Sequence, residues 1–207
     1  MDVPGRIENL EQLEALYRQP SERAVDKQFS SIDQGMAAFI DRSPFVVLAT
    51  TDANGSVDAS PRGGPPGFVR ILDDRHIAIP DLNGNNRLDS YRNLIEHPYA
   101  GVLMIVPGQD ETLRVNGPAV LSTDPALLAG FTNELRTPKM TVVIETAEIY
   151  GHCAKAFRRG AVWQPEAWSA IDRAPDLAAM YACTWGVEED AMRSILETTY
   201  ADDLSLD

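Results

Sequence analysis

The chain is expected to fold as a mainly β protein of the α+β class, an antiparallel sheet with helices before, within and after it. Three observations predict this. Apolar, β-rich runs recur at 45–51, 75–80, 99–106, 112–122 and 141–149. Turn sequences such as Asp52-Ala-Asn-Gly55 and Pro107-Gly108 separate neighbouring runs, and such links are too short for the crossover that a parallel pair requires. Helix-period patterns are confined to the first forty residues, two internal segments and the carboxyl third. Six or seven strands joined this closely suggest a sheet curled into a small barrel.

Leu10, Leu13, Leu16 and Tyr17 repeat at helix spacing, as do Ile32, Met36, Phe39 and Ile40, with Pro20 between the two segments. Ser43-Pro44 ends the second. Phe45 to Thr51 is then a strand, turned back by Asn54-Gly55 into a partner over Ser56 to Ser60. After the loop Arg62-Gly-Gly-Pro-Pro-Gly67, strands are expected at Phe68 to Leu72 and Arg75 to Pro80 around an Asp73-Asp74 turn. Asn86 to Glu96 fits a short helix closed by Pro98, and Tyr99 to Val106 with Thr112 to Ser122 makes a further hairpin. A helix-like stretch, Asp124 to Leu135, precedes a last strand from Thr141 to Ile149, and the remainder reads as helical.

At 207 residues the chain suits a single domain, a size that buries roughly 70% of the unfolded surface. Its expected plan is a helical segment over 1–42, a barrel over 43–150 and a helical segment over 151–207. Eighteen Lys and Arg against thirty-one Asp and Glu give a formal charge of −13, which opposes nucleic acid and anionic lipid as partners. No apolar run approaches a membrane span, and Met-Asp-Val-Pro-Gly-Arg has no leader character, so the cytoplasm is the expected compartment. Cys153 and Cys183 lack any Cys-x-x-Cys pairing, and the three histidines lack chelate spacing, so neither a disulfide framework nor a metal site is expected.

Three stretches carry possible chemistry. In Asn83-Gly-Asn-Asn-Arg-Leu-Asp-Ser90 a flexible loop opens a helix. Helix-start amides, the Arg87 guanidinium and Ser90 could converge on an anion there; alternatively Asn85 or Asn86 only caps the helix and Arg87 is a solvated charge. In Ser60-Pro-Arg-Gly-Gly-Pro-Pro-Gly67 an arginine stands at a strand end among glycines that permit close approach of a ligand, or that simply make a turn. In His152-Cys-Ala-Lys-Ala-Phe-Arg-Arg159, Lys155 and Arg158 concentrate positive charge on a helix of an acidic protein, or merely stabilise its carboxyl end. No Gly-x-Ser-x-Gly elbow, Walker loop or dinucleotide fingerprint is present. His76 reads as a packed strand side chain and His97 as a helix terminus.

The ordered set Ser60-Pro-Arg-Gly-Gly, Ile79-Pro-Asp, Gly84-Asn-Asn-Arg-Leu-Asp-Ser90, His97-Pro98, Leu113-Arg-Val-Asn-Gly117 and His152-Cys-Ala-Lys155 resembles the pyridoxamine 5′-phosphate oxidase-like superfamily of split barrels that bind flavin mononucleotide (FMN). The similarity runs from about Phe45 to Val120. It implies that Arg62, Arg87 and Ser90 hold the flavin phosphate, with Asn86 and the backbone near Ile79, Pro80 and Asp81 beside the ribityl chain or ring and Gly63 also at the cofactor. It also implies a homodimer with flavin at the subunit interface, where Lys155, Arg158 or Trp163 reach the partner's cofactor.

Two departures bear on substrate. The true oxidases end in an Arg-x-His-x-Arg-like segment, whereas this sequence ends in Thr199-Tyr-Ala-Asp-Asp-Leu-Ser-Leu-Asp207, so pyridoxamine phosphate itself is not expected. The position of their phosphate-binding lysine falls here in Pro-Pro-Gly. The resemblance therefore implies an FMN-dependent oxidoreductase acting on another small organic substrate or accepting electrons from a nicotinamide donor, with no assigned catalytic side chain. The alternatives are a non-catalytic flavin carrier and a haem-handling or deazaflavin-using relative, His152 being the expected haem residue.

Overall fold

The computed structural model describes residues 3–131, 136–168 and 176–205. Eight strands form one unclosed antiparallel sheet: β1 Phe45–Thr51, β2 Val57–Gly63, β3 Arg70–Ile71, β4 His76–Pro80, β5 Tyr99–Ile105, β6 Thr112–Ser122, β7 Thr141–Glu145 and β8 Glu148–His152. Their order is β2-β1-β5-β6-β7-β4-β3, with β8 also paired to β6. This is the split-barrel α+β architecture, with one strand more than expected. The extra strand arises because the run 141–149 is two strands, not one.

The eleven-residue β6 joins two halves of the sheet. Its first part pairs with β5 on one edge and β8 on the other, and its last four residues pair with β7. Asn116 faces Glu148 and Ala119 faces Ile144, so the β7–β8 path has one residue more than β6 between those pairs, the signature of a bulge. Thr146 sits in the bulge, buried, and its hydroxyl donates to the Ser30 and Arg75 carbonyls at 2.9 and 3.0 Å. Gly117 lies beneath it.

Alternation places Val46, Leu48, Val102, Met104, Val115 and Ile144 in one enclosed core. The amino-terminal helical signal is realised in pieces: α1 Leu10–Glu14, α2 Glu22–Val25 and α3 Gln34–Arg42. α3 packs on the sheet, capped by Asp33, whose carboxylate accepts from the Met36 amide at 2.7 Å, and anchored by the fully buried Ile40. Leu10, Leu13, Leu16 and Tyr17 are exposed.

α4 covers Asp89–Glu96 and lies against the β1–β2 corner. α5 is limited to Pro125–Ala129; residues 132–135 of the longer helix expected there lie outside the described residues. α6 Lys155–Arg159 precedes a 3₁₀ turn at Pro165–Ala167, and α7 Leu177–Trp185 and α8 Glu189–Ser205 form a hairpin. Gly186, at φ 66°, supplies the left-handed C-cap between them, and Arg193 ties Asp176 to Glu189 across it. No helix among the described residues is long and apolar enough to cross a membrane.

Candidate functional site

β2 runs three residues past its expected end because pairing with β1 continues through Val46↔Arg62 and Phe45↔Gly63. The period of two then places Asp58, Ser60 and Arg62 on one face of this edge strand, opposite Thr50, Leu48 and Val46. That face meets the first turn of α4. Arg62 Nη1 donates to Ser60 Oγ at 2.7 Å and to the Pro61 carbonyl at 3.2 Å, while Nη2 donates to Ser90 Oγ at 3.2 Å. The guanidinium also lies 5.4 Å from the Tyr91 ring centroid, over its face.

Two hydroxyls of α4 are committed to carboxylates. Ser90 Oγ, buried, donates to Asp58 Oδ2 at 2.5 Å, and the buried Tyr91 phenol donates to Asp81 Oδ1 at 2.7 Å. Burial, and then the bond to Asp81, push the Tyr91 phenol well above its ordinary range. A third polar tie, from Asn93 Nδ2 to Thr50 Oγ1 at 3.0 Å, pins the helix to β1.

Beside this wall opens a cavity of about 490 Å³, within the size range of small-molecule and cofactor sites. Arg62, Gly63, Pro80, Asp81, Asn86 and Arg87, expected from the sequence, all line it, together with Tyr91. Ile79 is buried behind it and Ser90 supports Arg62 without lining it. Arg136 and Lys139, from the segment before β7, complete the basic lining, and Leu204 of α8 stands at the rim. No local motif marked Arg136 or Lys139, since more than forty residues separate them from Arg87 in sequence.

Among the described residues, four basic side chains, Arg62, Arg87, Arg136 and Lys139, and one acidic side chain, Asp81, line this cavity. In a chain of net charge −13, the described lining therefore carries a local excess of positive charge. Arg136 and Lys139 make no hydrogen bond or ion pair to any described residue, whereas Arg87 is held by Asp89, Nε and Nη2 lying 2.9 and 2.8 Å from Oδ2.

The loop before α4 differs from the expected helix start. The helix begins at Asp89, with Leu88 as an N-cap that offers no side-chain bond. Asn85 is not a helix cap: its Oδ1 accepts from the Arg87 amide at 3.0 Å, and Asn86 is left-handed at φ 55°. Arg87 therefore precedes the helix and does not share a helical face with Ser90.

The family profile described as Pyridoxamine 5'-phosphate oxidase matches residues 32–153, more than half of the chain. The chain belongs to the pyridoxamine 5′-phosphate oxidase family. Among curated proteins none matches it. Solved structures similar to it include HupZ of Group A Streptococcus, at 18% identity and TM-score 0.48, covering 58% of this chain and 93% of that one. An FMN-binding protein from Syntrophomonas wolfei shares 15% identity at TM-score 0.45, with 69% and 92% covered. A pyridoxamine 5′-phosphate oxidase-related, FMN-binding protein from Nostoc punctiforme shares 14% at TM-score 0.41, with 56% and 81% covered.

In this member of the pyridoxamine 5′-phosphate oxidase family, Lys155 and Arg158 do not line the cavity. The row Gly63, Phe45, Ile105, Thr112 and His152 crosses β2, β1, β5, β6 and β8, so α6 follows a strand end about 19 Å away along the sheet. There Arg158 Nε bonds Asp110 at 2.9 Å, and Trp163 Nε1 donates to the Gln109 carbonyl at 2.7 Å. His152 Nε2 is enclosed without a partner among the described residues, and its ring lies 5.0 Å from that of Tyr150. Burial, Arg114 and Lys27 hold this imidazole below its usual range. The amide of Lys155, with the lysine charge, lowers the thiol of exposed Cys153. Among the described residues no cluster of His, Cys, Asp or Glu could hold a metal ion.

Proposed function

We propose that the cavity holds FMN and that the protein is an FMN-dependent oxidoreductase acting on a small organic substrate other than pyridoxamine phosphate, or on a nicotinamide donor. The observation that carries this reading is the local charge: among the described residues, four cations and one carboxylate line a cavity in a strongly acidic chain. The donor set fits a phosphate monoester. Arg62 offers the N–H groups not used by Ser60, Pro61 and Ser90, and Arg87, Arg136 and Lys139 supply further charge.

Bound flavin would contribute hydride or electron transfer, leaving the protein to orient it and control access. Pro80, Asp81 and Asn86 also line the cavity, and in this reading they stand beside the ribityl chain or ring. Lys155 and Arg158 belong to a second copy's cofactor in this reading, because about four strand spacings separate their segment from Arg62 in one chain. The functional unit is then a homodimer.

The deciding experiment is the visible spectrum of the purified protein, repeated on the supernatant after denaturation, with light scattering for mass. Two flavin bands, released FMN and a dimeric mass are expected. A colourless protein that also fails to bind added FMN overturns the flavin reading, and a monomer that retains FMN overturns the interfacial site.

A further inference from the structure

We infer that Asp58, a residue outside the cavity lining, is a positioning residue that sets the polarity of Ser90 and thereby fixes the Arg62 guanidinium for anion binding. For its affinity readout the inference rests on the flavin reading above. A serine hydroxyl has one proton and two lone pairs. Here the proton goes to Asp58 Oδ2 at 2.5 Å, and Ser90 Oγ accepts from Arg62 Nη2 at 3.2 Å. The orientation is forced, because a carboxylate can only accept.

The backbone makes this relay possible. Asp58, Ser60 and Arg62 are alternate residues of β2, all facing α4, so Asp58 meets Ser90 while Ser60 meets Nη1 of Arg62. Tyr91, next along the helix, closes the remaining side with its ring. The guanidinium is therefore held from three directions. Ser90 is almost wholly buried, 3% exposed, so its hydroxyl cannot exchange partners with water without moving the helix.

Charge alone predicts the opposite behaviour. A carboxylate close to an anion site repels the ligand, and removing it should tighten binding. Positioning predicts that removal weakens binding, since Ser90 Oγ is then no longer fixed by Asp58 and the acceptor that orients Arg62 is free to turn. The asparagine variant separates the two effects, because its carbonyl still accepts from Ser90 while carrying no charge.

The experiment compares Asp58→Ala, Asp58→Asn, Ser90→Ala and the Asp58→Ala/Ser90→Ala double variant by titration with FMN and with riboflavin, which lacks the phosphate. The expected result is FMN binding weakened about tenfold by Asp58→Ala, the scale of a lost charge-assisted hydrogen bond, with most of the affinity retained in Asp58→Asn. Riboflavin affinity should not change, and the double variant should be no worse than Ser90→Ala, as coupled residues require. Tighter FMN binding in both Asp58 variants would overturn the inference in favour of repulsion. Equal losses for FMN and riboflavin would overturn it in favour of general packing.

A second readout needs no ligand. NMR of the Arg62 side-chain N–H groups should show hindered guanidinium rotation in the wild type and in Asp58→Asn, and fast rotation in Asp58→Ala. Rotation that is the same in all three overturns the relay. If wild-type protein binds no FMN, the flavin reading fails by itself and the guanidinium signals still decide the relay.

Discussion

The Tyr91 phenol donates to Asp81 at 2.7 Å while its ring faces the Arg62 guanidinium, so one aromatic side chain braces both a cation and a carboxylate of the cavity wall. Tyr91→Phe keeps the ring and leaves Asp81 without its donor. A loss of about 1–3 kcal/mol in folding stability is expected, the cost of stranding a part-buried polar group, read from urea unfolding near neutral pH.

The same pair sets an alkaline limit. Burial and Asp81 raise the Tyr91 pKa above its ordinary value of 10.0, so the folded chain keeps a proton that the unfolded chain has released. The stabilisation is complete below pH 10 and is lost as pH rises through the folded-state value. Unfolding free energy of the wild type should therefore fall more steeply above pH 10 than that of Tyr91→Phe. Parallel curves would show that the phenol contributes nothing to this dependence.

Gly117 is required where β6 passes from β8 to β7. A Cβ there would lie 1.7 Å from the Glu145 carbonyl oxygen and 2.9 Å from the Ala147 nitrogen, and both are backbone atoms of the bulge that cannot swing aside. Gly117→Ala should cost at least about 3 kcal/mol, the upper range for overpacking. Gly151→Ala is the control, since a Cβ at that position would meet nothing within 4 Å, and its unfolding midpoint should stay near that of the wild type.

Arg87 illustrates how pairing tempers a cation. Its side chain is 76% exposed and bound to Asp89, an ion pair worth at most about 1 kcal/mol in water. Asp89→Asn should leave stability nearly unchanged and tighten FMN binding a few-fold by releasing Arg87, an effect that disappears at high salt. Calorimetric titration at two ionic strengths checks both parts; weaker binding at low salt would mean that Asp89 holds Arg87 in its productive position.

What was legible in the sequence divides by range of interaction. β6 occupies the expected Thr112–Ser122 and β1 the expected Phe45–Thr51, because alternation and hairpin turns are local. β2 reached Arg62 only because β1 offered partners to pair with, information that its own composition does not hold. The helix at 86–96 starts three residues late because Asn86 takes a positive φ and Asn85 turns back to the Arg87 amide. The leucines of α1 gave a true periodic signal without a surface to bury it. In the site, Arg62, Arg87 and the Ile79 to Asp81 region were readable from motif order, whereas Asp58, Tyr91, Arg136 and Lys139 depend on how distant segments meet.

Arg136 and Lys139 supply the last prediction. They line the cavity without a protein partner among the described residues, so their charge remains available to a ligand, unlike that of Arg87. Arg136→Gln with Lys139→Gln removes two positive charges from the wall without shortening either side chain greatly. FMN affinity should fall by about tenfold at low salt, roughly the 1.4 kcal/mol expected for two partly screened charges near a phosphate, and its dependence on ionic strength should flatten. Riboflavin serves as the neutral comparison: its affinity should be unmoved. If both ligands weakened together, the two residues would be shaping the wall and not attracting the anion.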